Sequence, residues 1–249
     1  MTEDRRPLAG KVVVVTGAAS GIGAATVDHI VAAGGAVVAV DRAQAVQEMR
    51  VDGQIEPVTA DAADFAAMQR SVDVAEEKFG RLDGAVAVAG ITRAGTVESM
   101  NLSDWDSVLR VNLTSVFLLA KAAVPAFRKA GGGSFVAVAS QVGLVGYPEN
   151  VAYCAAKAGA INLMRAMTVD HASEGIRANA VCPGPVDTPM LREGFAQTGE
   201  SYDLAKSRVP LKRIGKAEEI AATVGFLLSD GAAFVSGAAW VVDGGYTAQ

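Results

Sequence analysis

Short runs that are apolar at every position recur along this 249-residue chain, separated by longer alanine-rich segments with helical spacing. A run such as Val12-Val13-Val14-Val15 belongs to a strand buried on both faces, because a half-exposed strand would alternate apolar and polar residues. Residues 12–15, 36–40, 55–59, 85–89, 134–139, 177–181 and 239–242 are the strand candidates, and 21–33, 64–79, 103–129, 153–173 and 216–228 the helical ones. Strand and helix alternate from end to end, which predicts an α/β fold: a doubly wound, seven-stranded parallel sheet flanked by helices on both faces, with right-handed crossovers. No linker or composition shift cuts the chain, so residues 1–249 are expected to form a single domain. One interval, 183–210, is rich in proline and polar residues, with a helical patch near 190–197. It reads as an irregular substrate lid.

Composition narrows the function. With 22 basic and 27 acidic residues the net charge is −5, and no basic stripe gathers to neutralise phosphates, so nucleic acid is not an expected partner. The two cysteines, Cys154 and Cys182, are too few for a disulfide framework and lack the paired spacing of a metal site. A reducing, cytoplasmic setting and no metal are expected. Residues 1–7 carry no apolar signal core, and no continuous apolar run reaches the roughly 18 residues of a membrane span, so no membrane association is expected.

The first strand runs into Thr16-Gly17-Ala18-Ala19-Ser20-Gly21-Ile22-Gly23, and a helix follows. Glycines at such a turn let the backbone approach a pyrophosphate, whose charge meets the free N–H groups and positive dipole end of the helix. Asp41 closes the second strand, where a carboxylate accepts hydrogen bonds from the ribose hydroxyls of an adenine dinucleotide and repels a 2′-phosphate. Together these features predict a Rossmann-type site for NAD in preference to NADP.

Ser140 follows the fifth strand, and Tyr153 and Lys157 stand four apart at the start of a long helix, on one face. A cation beside a phenol favours the phenolate, so Tyr153 can exchange a proton with an alcohol or ketone oxygen that Ser140 holds in place.

These motifs resemble the short-chain dehydrogenase/reductase (SDR) family along essentially the whole chain: the Thr16–Gly23 turn, Asp61 after the third strand, Asn112 in Val-Asn-Leu, the Ser140, Tyr153 and Lys157 spacing, the segment Pro183-Gly184-Pro185-Val186-Asp187-Thr188, and Val242-Asp243-Gly244-Gly245. The resemblance implies cofactor contacts from Gly17, Ser20, Gly21, Ile22, Gly23, Asp41, Asp61, Ala62, Ala89, Gly90, Tyr153, Lys157, Pro183, Gly184, Val186 and Thr188. It implies that Ser140 orients the substrate oxygen, that Tyr153 is the acid/base, that Lys157 lowers the Tyr153 pKa and binds the nicotinamide ribose, and that Asn112 holds a relay water. It also implies a homotetramer with dimer contacts through the two long helices. The chain departs from the family at Ala87-Val88-Ala89-Gly90, where the usual motif is Asn-Asn-Ala-Gly.

Substrate contacts are expected from Ser140, Gln141, Tyr147 and Met190, with Arg93 or Arg192 available to grip an anionic tail. The reading is an NAD-dependent oxidoreductase interconverting a secondary alcohol and its ketone. The alternatives are an NADPH-preferring reductase of 3-oxoacyl or other carbonyls and a non-catalytic dinucleotide-binding regulator.

Overall fold

The computed structural model describes residues 6–49 and 53–249; residues 1–5, most of the chain start read above, lie outside the described residues. Its strands are β1 (Val12–Thr16), β2 (Ala36–Asp41), β3 (Ile55–Thr59), β4 (Gly84–Ala87), β5 (Gly133–Val138), β6 (Ile176–Pro183) and β7 (Ala239–Val242). All pair in parallel in one seven-stranded sheet, ordered β3-β2-β1-β4-β5-β6-β7.

The reason is visible in β1, every residue of which is buried. Val13 and Val15 point to one face and pack with Val27 and Ile30 of α1 (Gly21–Ala32) and with Ile220, Val224 and Leu227 of a helix late in the chain. Val12 and Val14 point to the other face, among Met68 and Val72 of α2 (Phe65–Phe79), Leu119 and Phe127 of the long central helix, and Met164. Side chains alternate across a strand, so a run of valines serves both cores at once.

Two expectations need correction. The helix expected over 103–129 is α3 (Leu102–Leu109) and α4 (Ser115–Ala130) joined through a wider π-helical turn at Arg110–Thr114. The combined Leu102–Ala130 helix is long and apolar enough by composition to span a membrane, yet half of its apolar window is buried inside the fold. The interval 183–210 is not an irregular loop. It contains α6 (Pro189–Thr198) and α7 (Tyr202–Arg208), placed between α5 (Val151–His171) and α8 (Ala217–Leu228) in chain order. Thr188 and Ser201 cap the two lid helices by accepting from Leu191 N and Leu204 N, and Pro189 stands in the first turn, where its missing N–H costs nothing.

Strand β4 ends two residues short of the expected run. The N–H groups of Val88 and Ala89 turn instead toward the buried Thr16 hydroxyl, 3.3 and 3.5 Å away. The chain thereby leaves the ladder at the carboxyl end of the sheet, beside the glycine turn.

Candidate active site

A cavity of about 820 Å³ opens along the carboxyl ends of the strands and extends under the lid. Crevices at this end of a doubly wound sheet are where such folds bind ligands, since neighbouring connections leave to opposite faces there.

At one end lie Gly17, Ser20, Gly21 and Ile22. Gly17 has φ +69°, and a Cβ there would stand 2.7 Å from Ala89 N, so the turn can close against the strand-β4 exit only with glycine. Ser20 caps α1 in an extended conformation, but its side chain makes no capping hydrogen bond. The Ser20 side chain thus takes up none of the first-turn N–H groups, and Gly21 and Ile22 line the cavity, where such donors suit an anion. Asp41 lines the same end, its Oδ2 accepting from Ala19 N at 3.0 Å and its Oδ1 from Ala43 N at 2.9 Å. These donors and the fixed carboxylate fit a dinucleotide, the pyrophosphate on α1 and a ribose beside Asp41.

Ala62, Ala89, Gly90, Pro183, Gly184, Val186 and Thr188 also line the cavity. So does Asp61, which accepts from Ala63 N and forms an ion pair with Arg110 rather than standing free. The Thr188 hydroxyl is engaged as well, donating to Val186 O at 3.2 Å while capping α6.

Gly23 and Asn112 do not reach the cavity wall. A Cβ on Gly23 would fall 1.9 Å from Gly17 O, so this glycine serves the packing beneath the turn. Asn112 is fully buried, its Nδ2 donating to Ile91 O at 3.0 Å and Val108 O at 2.9 Å and its Oδ1 accepting from Ile91 N at 3.3 Å. The Asn112 side chain thus holds the segment after β4. Thr16 and Asn112 together hold residues 88–91 in place.

Ser140, Tyr153 and Lys157 all line this cavity. Ser140 follows β5 and caps a short turn at Gln141–Gly143, its Oγ accepting from Val142 N at 3.3 Å. Tyr153 donates toward Met190 Sδ of the lid at 3.8 Å. Lys157 is buried, with Nζ donating to Val138 O at 2.8 Å and lying 5.4 Å from the centre of the Tyr153 ring.

Burial dominates the electrostatics of this pair. Burial pushes the Tyr153 hydroxyl well above the usual tyrosine value, and burial lowers the Lys157 ammonium to about 8. Desolvation disfavours the charged form of both groups, so the site holds a neutral phenol.

Gln141 lines the cavity beside Ser140, and its Oε1 is buried with no hydrogen-bond partner among the described residues. Tyr147 lines the cavity too, with its hydroxyl donating to Glu200 Oε2 at 2.6 Å and accepting from Arg208 at 2.8 Å. Arg93 and Arg192 do not line it; Arg93 pairs with Glu193 and Arg192 with Asp187. Sequence reasoning passed over Arg110, Glu200 and Arg208. They belong to no spaced motif, and only the folded lid brings Glu200 and Arg208 to Tyr147.

The family described as Enoyl-(Acyl carrier protein) reductase matches residues 17–247. The chain is 39% identical over 246 residues to a D-threitol dehydrogenase of Mycolicibacterium smegmatis, covering 96% of this chain and 94% of that one. It is 38% identical over 244 residues to a 3-oxoacyl-(acyl-carrier-protein) reductase of Thermotoga maritima, with 96% and 98% covered. Among solved structures it superposes on a levodione reductase with TM-score 0.90 and 35% identity, over 96% of this chain and 98% of the other.

Proposed function

The chain belongs to the short-chain dehydrogenase/reductase family, whose dehydrogenases act on CH–OH groups with a nicotinamide dinucleotide, and from this we propose an NAD-dependent enzyme interconverting a secondary alcohol and its ketone. The observation that carries the proposal is one continuous cavity lined by Asp41 together with Ser140, Tyr153 and Lys157. Asp41 supports NAD, since a fixed carboxylate accepts from ribose hydroxyls and repels a 2′-phosphate. The same charge counts against the NADPH-preferring 3-oxoacyl reading, although a relative bears that name. A purely regulatory role gives no reason for a serine, a tyrosine and a lysine to line one cavity.

In the oxidation direction Ser140 donates to the substrate oxygen and fixes its position, while Tyr153, after releasing its own proton to solvent, accepts the hydroxyl proton as the phenolate. Lys157 holds a cation close to the phenol, opposing the desolvation that keeps Tyr153 neutral. When bound, the dinucleotide supplies the hydride acceptor.

The free thiols Cys154 and Cys182 fit a reducing cytoplasm. A homotetramer is supported by apolar side chains left exposed on the long helices, Leu102, Phe117 and Val169. The edge strand β7 and its surroundings expose Phe226, Trp240 and Val241 as a second candidate contact surface.

A panel of secondary alcohols with NAD, followed by NADH absorbance, tests the activity. Tyr153→Phe keeps the ring and removes the acid/base, so kcat is expected to fall by about 10²–10⁴ while NAD still binds. Near wild-type turnover by this variant would overturn the assignment.

A further inference from the structure

We propose that Glu200 closes the substrate end of the cavity to anions, so that the enzyme takes uncharged alcohols and ketones. This rests on the alcohol–ketone reading above and concerns the same site. Among the described residues, the cations lining the cavity are Arg42, Arg110, Lys157 and Arg208. Arg42 adjoins Asp41, Arg110 pairs with Asp61, and Lys157 donates to Val138 O. Arg208 alone comes from the lid, at the end of α7.

That guanidinium is already matched. Arg208 donates to Glu200 Oε1 at 2.9 Å and to the Tyr147 hydroxyl at 2.8 Å, while the Tyr147 hydroxyl donates to Glu200 Oε2 at 2.6 Å. Both carboxylate oxygens are engaged, and the Glu200 side chain is only 11% exposed, against 36% for Arg208. Such a carboxylate is not displaced by an arriving one without losing a charge-assisted bond at each oxygen. A second carboxylate brought beside it meets like-charge repulsion in a poorly solvated setting.

The same pairing recurs at Arg192 of the lid and at Arg93 of the body, which bonds a lid glutamate. Arg93 lies 3.0 Å from Glu193 and 3.8 Å from Asp104, and Arg192 lies 2.9 Å from Asp187. Each of these lid-region cations is therefore paired, and specificity against anions follows from the repulsive carboxylate at Arg208 rather than from lack of a cation.

Matched substrate pairs test the proposal: 4-methylcyclohexanol with 4-hydroxycyclohexanecarboxylate, and 2-pentanol with 4-hydroxypentanoate, each oxidised with NAD. Wild type is expected to show kcat/KM at least about tenfold higher for the neutral member. Glu200→Gln leaves the Arg208 charge uncompensated and should shrink that ratio at least about tenfold, with the gain fading as sodium chloride is raised. Arg208→Gln leaves the Glu200 charge uncompensated and should widen the ratio. A merely structural role would move both members of a pair together and leave the ratios unchanged, which would overturn the proposal.

Binding gives an arm independent of chemistry. Cyclohexanecarboxylate should raise the Tm of Glu200→Gln and leave that of wild type unmoved, with circular dichroism confirming that each variant is folded. Should no alcohol be oxidised, the alcohol–ketone reading fails while this thermal shift still decides whether Glu200 excludes anions. Equal stabilisation of wild type and Glu200→Gln by the carboxylate would refute it.

Discussion

The Asp41 carboxylate is anchored by two backbone N–H groups, so its charge stays at the cofactor end of the cavity. A 2′-phosphate brought there meets a like charge that cannot swing away, a cost of several kcal/mol. Asp41→Asn keeps an acceptor for Ala43 N–H and removes the charge. It is expected to raise the NADP to NAD ratio of kcat/KM by about 10²-fold, measured by parallel kinetics with the two cofactors. An unchanged ratio would move the discrimination to Arg42 or the glycine turn. At this scale the sequence was informative wherever position depends on local spacing: Tyr153 and Lys157 share a helix face because they are four apart. The charge states of those residues were not legible. They follow from burial by the lid and by strand β5, whose Val138 carbonyl holds Lys157, and neither is encoded in the local spacing.

Among the elements, α8 shows how a terminus is fixed. Glu219 Oε2 accepts from Lys216 N at 2.8 Å, and the two carboxylate oxygens also bind the Arg213 guanidinium at 2.6 and 2.7 Å. The Arg213 hydrogen bond, followed by the Lys216 N–H, lowers the Glu219 carboxyl to about 2. A carboxyl lowered on folding contributes stability that is complete above its unfolded value and is lost as pH falls through about 2. The side chain is 40% exposed, so solvent screens most of the pair. Glu219→Gln is expected to cost about 0.5–1 kcal/mol at neutral pH, the size of a cap plus a surface pair. Urea unfolding at a series of pH values should show the difference narrowing below the normal carboxylate range and vanishing near the lowered value. The lid was misjudged at this scale because prolines and polar residues outweighed its weak apolar pattern. Capping by Thr188 and Ser201 makes α6 and α7, and Arg93, Gln197 and Tyr147 dock them to the body. The π-helical turn at Arg110–Thr114 was likewise unreadable, since residues of ordinary helical propensity form it where Asn112 is pulled onto the Ile91 backbone.

On the scale of the whole molecule, Phe117 and Val169 remain exposed on α4 and α5, at 48% and 85%. Light scattering behind a sizing column should give a mass close to four times the 25.4 kDa of one chain. Phe117→Arg together with Val169→Arg should yield smaller species, and a wild-type monomer at micromolar concentration would refute the tetramer. The sequence by itself determined the parallel sheet, the glycine turn and the order of the elements, because continuous apolar runs, helical periods and turn residues act over a few neighbours. It also carried Ser140, Tyr153 and Lys157, whose relation depends on one strand end and one helix face. Only the tertiary structure decided that Asn112 and Gly23 stand behind the cavity wall and that Gln141 Oε1 is left without a partner. It alone joined Glu200 and Arg208 to Tyr147. Those outcomes depend on which groups from distant segments are desolvated together, and desolvation is a property of the packed chain.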